Sequence, residues 1–245
     1  MYKMKILLIS LLFIFSGSIA AQWSFSVESG VFFQSYNDFR VPNDGGTTLS
    51  FTDQFERDGI TIPIRVEVRR TWAERNHLTF LFAPLNLDYK GTLDEDIFFK
   101  GIEFARNNEI TGFYKFNSYR ITYRRDLIHT DNWIFGLGAT AKLRDATIRL
   151  TADTAHGRET DVGFVPLINM HLGYRTENWR VFLEGDGLAA SQGRAFDFFI
   201  GGRYYPVDDF SLMLGYRFLE GGADVSDVYN FTLIHFISLG LSLEF

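Results

Sequence analysis

The chain has 245 residues, no cysteine, 17% aromatic residues and a formal charge of −6 at a mean hydropathy of −0.03. The missing cysteines exclude a disulfide scaffold and thiol chemistry, and an acidic balance without a basic run argues against nucleic acid as a partner. Many aromatic residues at near-neutral hydropathy suit strands that alternate apolar and polar side chains better than an oily core.

Residues 1–21 read as a secretory leader. Lys3 and Lys5 form a charged start, 6–15 is apolar, and small residues at Ser18, Ala20 and Ala21 put cleavage after Ala20 or Ala21. The apolar run is too short to span a bilayer as a helix, which takes ~20 residues. After Gln22 no stretch approaches that length without polar residues, so a membrane span within 22–245 must be built from strands.

In chain order, Trp23, Phe25, Val27, Val31 and Phe33 alternate with small or polar residues and predict a first strand. A polar stretch, 37–58, reads as a surface loop. Ile60 to Val68 alternates β-branched residues with Thr61, Pro63, Arg65, Glu67 and Arg69. After a tight turn at 73–76, Leu78, Phe80 and Phe82 open a third strand that changes parity at Pro84. An acidic loop follows over 91–108. A fourth strand runs from about Ile110 to Leu127. Trp133 opens a fifth, whose parity shift near Asp145 predicts a β-bulge. Loops over 153–160, 189–194 and 221–227 separate strands carrying Phe164 to Arg175, Trp179 to Asp186, Phe196 to Tyr205, and Ser211 to Phe218. The last stretch, NFTLIHFISLGLSLEF, keeps Phe231, Leu233, His235, Ile237, Leu239, Leu241, Leu243 and Phe245 on one parity. Pro63, Pro84 and Pro166 fall within these strands and must sit at bulges or beyond a membrane rim.

These ten strands have connections that alternate longer and shorter, with Trp23, Trp72, Trp133 and Trp179 all near a terminus or tight turn. Short turns on one side, long loops on the other and an interfacial tryptophan belt are the marks of a transmembrane barrel. The closing strand with its terminal Phe245 resembles that of bacterial outer-membrane β-barrels, in which the aromatic end is read by the barrel-insertion machinery. The whole of 22–245 resembles the small outer-membrane barrel class, nearer in size to the ten-stranded omptins than to the eight-stranded outer-membrane protein A domain. The resemblance implies an all-β, up-and-down antiparallel barrel in the outer membrane of a Gram-negative cell, solvated by outer-membrane lipid with both termini periplasmic. The alternatives are eight strands with two loop hairpins, or a soluble lipocalin-like or sandwich fold.

Folding the parities into a barrel turns Arg65, Glu67, Arg69, Arg120, Arg124, Lys142, Arg144, Arg149, Glu184, Asp186, Asp197, Arg203 and Arg217 inward, together with Glu28, Asp126, His171 and Glu244. Opposite charges in a narrow lumen must pair, because lone buried charges are costly. The expectation is a salt-bridged, closed lumen with a structural or contact role for the loops. The alternative is a narrow, porin-like passive channel for small polar solutes, and a third reading is a barrel hydrolase acting on lipid or peptide.

The sequence predicts no catalytic residue, metal site or cofactor. His156 with Asp153 or Asp161 is the one loop pairing that an omptin-like peptidase would suggest. His235 reads as a lone outward residue, since Ser238, three positions on, faces the other way in a regular strand. Gln192, Arg194, Glu220, Tyr229 and Asn230 cluster at neighbouring strand tops and predict an extracellular-mouth ligand site or a rim network.

Overall fold

The computed structural model describes residues 22–245, so the leader expected over 1–21 lies outside the described residues. The strands in chain order are β1 (Gln22–Arg40), β2 (Leu49–Ser50), β3 (Glu56–Asp58), β4 (Ile64–Trp72), β5 (Asn76–Ala83), β6 (Asn86–Thr92), β7 (Ile97–Phe99), β8 (Ile102–Phe104), β9 (Glu109–His129), β10 (Trp133–Thr151), β11 (His156–Arg175), β12 (Trp179–Ala190), β13 (Gly193–Val207), β14 (Phe210–Val225) and β15 (Val228–Glu244). Ten of them, β1, β4, β5 and β9 to β15, close an antiparallel barrel, with each strand paired to its neighbours in sequence and β15 paired back onto β1. β6 continues the line of β5 along β9, and β3 lies beside β6.

Closure is made by the stretch that alternates most cleanly. The β1–β15 ladder runs from Ser24 opposite Glu244 to Arg40 opposite Tyr229. Backbone bonds between Trp23 and Phe245, 2.7 and 2.8 Å, carry it to the last residue. A closed barrel leaves no unpaired edge, and the apolar parity of β15 therefore faces outward, with Leu239 and Phe245 62% and 74% exposed. Charged and small residues of the other parity face the lumen.

Both described ends of the chain and the turns at 73–75, 130–132, 176–178 and 208–209 lie at one end, here the turn end. All four tryptophans sit there. Trp72, Trp133 and Trp179 pack on Tyr123, Tyr174 and Tyr204 at ring-centroid distances of 6.0, 4.9 and 4.7 Å, forming an aromatic belt on the outer wall.

The opposite, loop end differs from the expectation. Strands β9, β10 and β11 extend well past the apolar band, so much of 153–160, 189–194 and 221–227 is paired strand, with hairpin links at 152–155, 191–192 and 226–227. In water a strand that leaves the membrane keeps its ladder, since paired backbone groups need no other partner. The expected bulge at Asp145 does not form: Asp145 pairs in unbroken register with Asn117 and Val162. What changes there is the chemistry of the inside. Just below Asp145 the inward residues of β10 are small or polar and end in Lys142 and Arg144; above it Ile148 and Leu150 turn inward and Arg149 turns out.

They turn inward onto an apolar core. Of the stretches expected as surface loops, 37–58 and 91–108, residues 41–58 and 93–108 fold into the barrel mouth, whereas 60–62, expected to open the second strand, precedes β4 with Ile60 97% exposed. Leu49, Phe51, Phe55, Ile97, Phe99 and Phe104 are buried there against Phe39, Leu87, Tyr89, Ile110, Tyr114, Ile148, Leu150, Ile234 and Phe236 of the wall. Phe51 is the centre. Its ring stacks on Tyr89 at 4.4 Å and meets Phe39 at 4.5 Å and Phe55 at 5.3 Å. Gly112 and Gly157 make room, because a Cβ at either would meet the Phe51 or Phe99 ring at 2.4 or 2.5 Å. Ile234 and Phe236, which break the polar parity of β15 in the sequence, belong to this core.

The prolines mark breaks in the wall. Pro63 precedes β4, and Pro84 lies between β5 and β6. Pro166 lies in the part of β11 paired with β10 only, where the β12 ladder has ended, so one flank is free of pairing.

Candidate functional site

Below the apolar core the lumen is crossed by a belt of ion pairs from six strands, extended by hydrogen bonds from three more. Arg120 of β9, its side chain 2% exposed, holds Asp186 of β12 at 2.7 Å and Asp197 of β13 at 2.6 Å. Asp197 also accepts from Arg65 of β4 at 3.1 Å and Arg217 of β14 at 2.7 Å. Arg217 forks onto Glu28 of β1 at 2.8 and 2.7 Å, and Glu28 accepts from Ser238 of β15 at 2.7 Å. Asp186 accepts from Thr140 of β10 at 2.6 Å and Asn169 of β11 at 2.9 Å. The two-residue period that turns a charged or polar side chain inward on each of these strands brings them to one level. Guanidinium forks suit this geometry because one Arg reaches two carboxylates at once.

A second layer lies nearer the turn end. Glu184 accepts from Arg69 at 3.0 Å and Arg124 at 2.5 Å, with His171 Nδ1 at 2.9 Å. Arg69 also pairs with Glu67 at 2.9 Å. Asp126 is bonded to His77 at 3.0 Å and lies 3.4 Å from His129. Arg203 reaches Glu244 at 4.0 Å. Around this layer is a cavity of about 270 Å³ whose walls run from Arg217 and Asp197 down to Trp23, Glu74, Tyr174 and Arg175 at the turn end. Its roof is the ion-pair belt, and above the belt stands the apolar core.

Of the residues assigned inward, Lys142 is buried with its ammonium 4.7 Å from the Phe116 ring, and Arg144 pairs with Asp161. Arg149 is the correction: it is exposed on the outer wall, its guanidinium 4.7 Å from the outer face of Phe113. The sequence assigned it inward by inserting a bulge to keep Ile148 and Leu150 toward lipid. Above the membrane band that rule reverses.

The residues grouped at the mouth do not make one pocket. Arg194 donates to Glu220 at 2.7 Å, and Tyr36 donates to the same oxygen at 2.7 Å. Asn230 donates to the backbone oxygen of Asp38 at 3.0 Å, Tyr229 carries the Arg40 guanidinium at 5.5 Å, and the Gln192 carbonyl accepts from Asp224. The loop histidine finds no omptin-like partner in Asp161, which is held by Arg144, while His156 lies exposed opposite Thr151.

His235 is not the lone outward residue the sequence suggested. Its Nε2 lies 2.8 Å from Ser35 Oγ and its Nδ1 2.5 Å from Tyr216 Oη. The sequence does not display the contact because Ser35 lies 200 positions away on the far side of the closure. The register slip between Gln34 and Tyr36 was the one signal, and a sequence does not display it.

No family model matches the chain, and a comparison with curated proteins likewise gives no match. Solved structures do match. The chain is similar to the outer membrane protease OmpT from Escherichia coli, at 10% identity and a TM-score of 0.56 over 93% of this chain and 99% of that one. Similarity also extends to the attachment invasion locus protein Ail of Yersinia pestis, at 12% identity, TM-score 0.39, 93% of this chain and 100% of that one. Neisserial surface protein A matches at 13% identity, TM-score 0.36 and the same coverage. With a closed ten-stranded antiparallel wall and OmpT as its structural counterpart, the chain has the fold of the small outer-membrane β-barrels.

Proposed function

We propose that this chain is an outer-membrane barrel that does not conduct and that acts through its outer surface. One observation carries the reading. The loop end is filled by a continuous apolar core centred on Phe51, standing above a lumen already crossed by ion pairs. A passive channel needs a continuous polar path, and this core interrupts it; the cavity of about 270 Å³ is therefore a blind crypt open at the turn end. The turn end is periplasmic, since short turns face the periplasm and longer loops the exterior in this class. The insertion machinery reads β15 and its terminal Phe245, and outer-membrane lipid covers the apolar wall. Contacts with the exterior fall to the projecting β10–β11 hairpin with the adjoining end of β9, and to the Arg194–Glu220 rim.

A liposome-swelling assay tests the reading. Vesicles carrying folded protein are diluted into isotonic solutions of small sugars and amino acids. Swelling no faster than in empty vesicles is the expected result. Size-graded swelling would sink the closed-lumen account and make the inward arginines a selectivity lining.

A further inference from the structure

We propose that Ser35, His235 and Tyr216 form an ester-hydrolysing site on the lipid-facing wall, acting on carboxylic acyl esters of membrane lipids. The three residues come from adjacent strands, β1, β15 and β14. His235 belongs to the outward row that continues as Ile237, Leu239, Leu241 and Leu243. Ser35 stands off the ladder, because the register passes from Gln34 opposite Ile234 to Tyr36 opposite Leu233. An extra residue of this kind re-aims its side chain, and here it brings Ser35 Oγ to 2.8 Å from His235 Nε2. The other ring nitrogen, Nδ1, is 2.5 Å from Tyr216 Oη. Phe33 stacks on the imidazole at 4.6 Å and 19°, and Tyr216 lies at 5.9 Å and 24°, so the ring plane is held from both neighbouring strands.

A nucleophile bonded to a base, and the base bonded to a third group, is the arrangement that activates a serine. Its position is as telling as its geometry. Three polar groups meet on a wall that is mostly apolar, where polar side chains are costly and retained for a task. Eight residues separate His235 from Leu243; at ~3.4 Å per residue and a tilt of ~40° that is about 20 Å of height, near the top of an apolar band ~25 Å tall. The site therefore lies where acyl ester bonds and water meet. Two ladder positions higher, Leu233 is flanked by Tyr36 and Glu220, and the exposed Arg194 paired to Glu220 sets a cation at the level of lipid phosphates.

With the ring proton on Nδ1 and donated to Tyr216 Oη, Nε2 accepts the Ser35 hydroxyl proton as Oγ attacks the ester carbonyl carbon. The carbonyl electron pair moves to its oxygen and returns as the C–O bond to the lipid alcohol breaks. That alcohol oxygen takes the proton from Nε2, leaving an acyl-serine. Water, deprotonated by Nε2, attacks the acyl carbon; the acid departs and Oγ recovers its proton. Ser35 and His235 are catalytic residues in this scheme, and Tyr216 is a positioning residue. The scheme does not depend on whether the lumen conducts.

The full chain, folded in an ester-free detergent, is mixed separately with vesicles of phosphatidylethanolamine and with purified lipopolysaccharide, and released fatty acid is measured by mass spectrometry. Heat-modifiable gel migration certifies the fold of every variant. Release from either lipid is expected, and the lipid that is cleaved identifies the source of the ester. Ser35→Ala and His235→Ala should each lower it at least ~100-fold. Tyr216→Phe should lower kcat with KM unchanged, which a merely structural role would not do. A fluorophosphonate should label the Ser35 peptide of the wild-type protein. Folded wild-type protein that releases no acid from either lipid, or release that survives Ser35→Ala, overturns the proposal.

Discussion

Replacing Asp197 by Ala tests the ion-pair belt at its most connected point. Asp197 is 3% exposed and accepts from Arg65, Arg120 and Arg217 at 3.1, 2.6 and 2.7 Å. Removing the carboxylate leaves Arg120, whose side chain is 2% exposed, with Asp186 as its one carboxylate partner, and leaves Arg65 with a longer contact of 3.7 Å to Glu28. Breaking a buried pair from one side costs about 3–5 kcal/mol, because a buried charge is left uncompensated. At about 1.4 kcal/mol per factor of ten, the folding equilibrium should fall by roughly two to nearly four orders of magnitude. Urea titration of the protein in lipid vesicles, followed by tryptophan fluorescence, reads this as a lower midpoint. Asp58 supplies the control, since its pair with Lys90 at 3.7 Å is more than half exposed on both sides; Asp58→Ala should cost less than about 1 kcal/mol. If Asp197→Ala matches that control, the belt is not desolvated and the account of the lumen is wrong.

Phe51→Ala should cost about 3–5 kcal/mol, the usual loss for a buried Phe, yet leave vesicle swelling at the blank level because the ion-pair belt below still closes the lumen. Gly112→Val should cost about 1–3 kcal/mol by overpacking against Phe51, whose ring a Cβ would meet at 2.4 Å; in the Phe51→Ala background most of that cost should vanish, and an additive double-mutant cycle would show that the two do not touch. Arg149→Ala should change the urea midpoint by less than about 0.5 kcal/mol as an exposed outward residue, whereas a loss as large as that of Asp197→Ala would return Arg149 to the lumen.

The strand pattern is legible because period-2 alternation is a local property. Lipid outside and paired charge inside repeat every second residue, and the outward row of β15, Ile237, Leu239, Leu241 and Leu243, carries straight from the sequence into the wall. The pattern misleads where the solvent changes. Past the loop-side rim the outside is water, so Ile148 and Leu150 turn in and Arg149 turns out with no change of register. The plug is hidden for the opposite reason. Leu49, Phe51, Ile97 and Phe99 belong to short apolar stretches in polar segments, and their partners on β1, β6, β9 and β10 are set by barrel closure, not by sequence spacing. The Ser35–His235 contact has the same origin: it exists because the last strand pairs with the first and slips by one residue there.

Single-channel recording in a planar bilayer tests the central claim most directly. Protein shown to be folded by heat-modifiable migration is added to the bath and held across a range of voltages. A closed lumen predicts a flat baseline, the same as for detergent alone. Steady, discrete openings of reproducible size would contradict it, since ions would then be passing both the Arg120 belt and the Phe51 core.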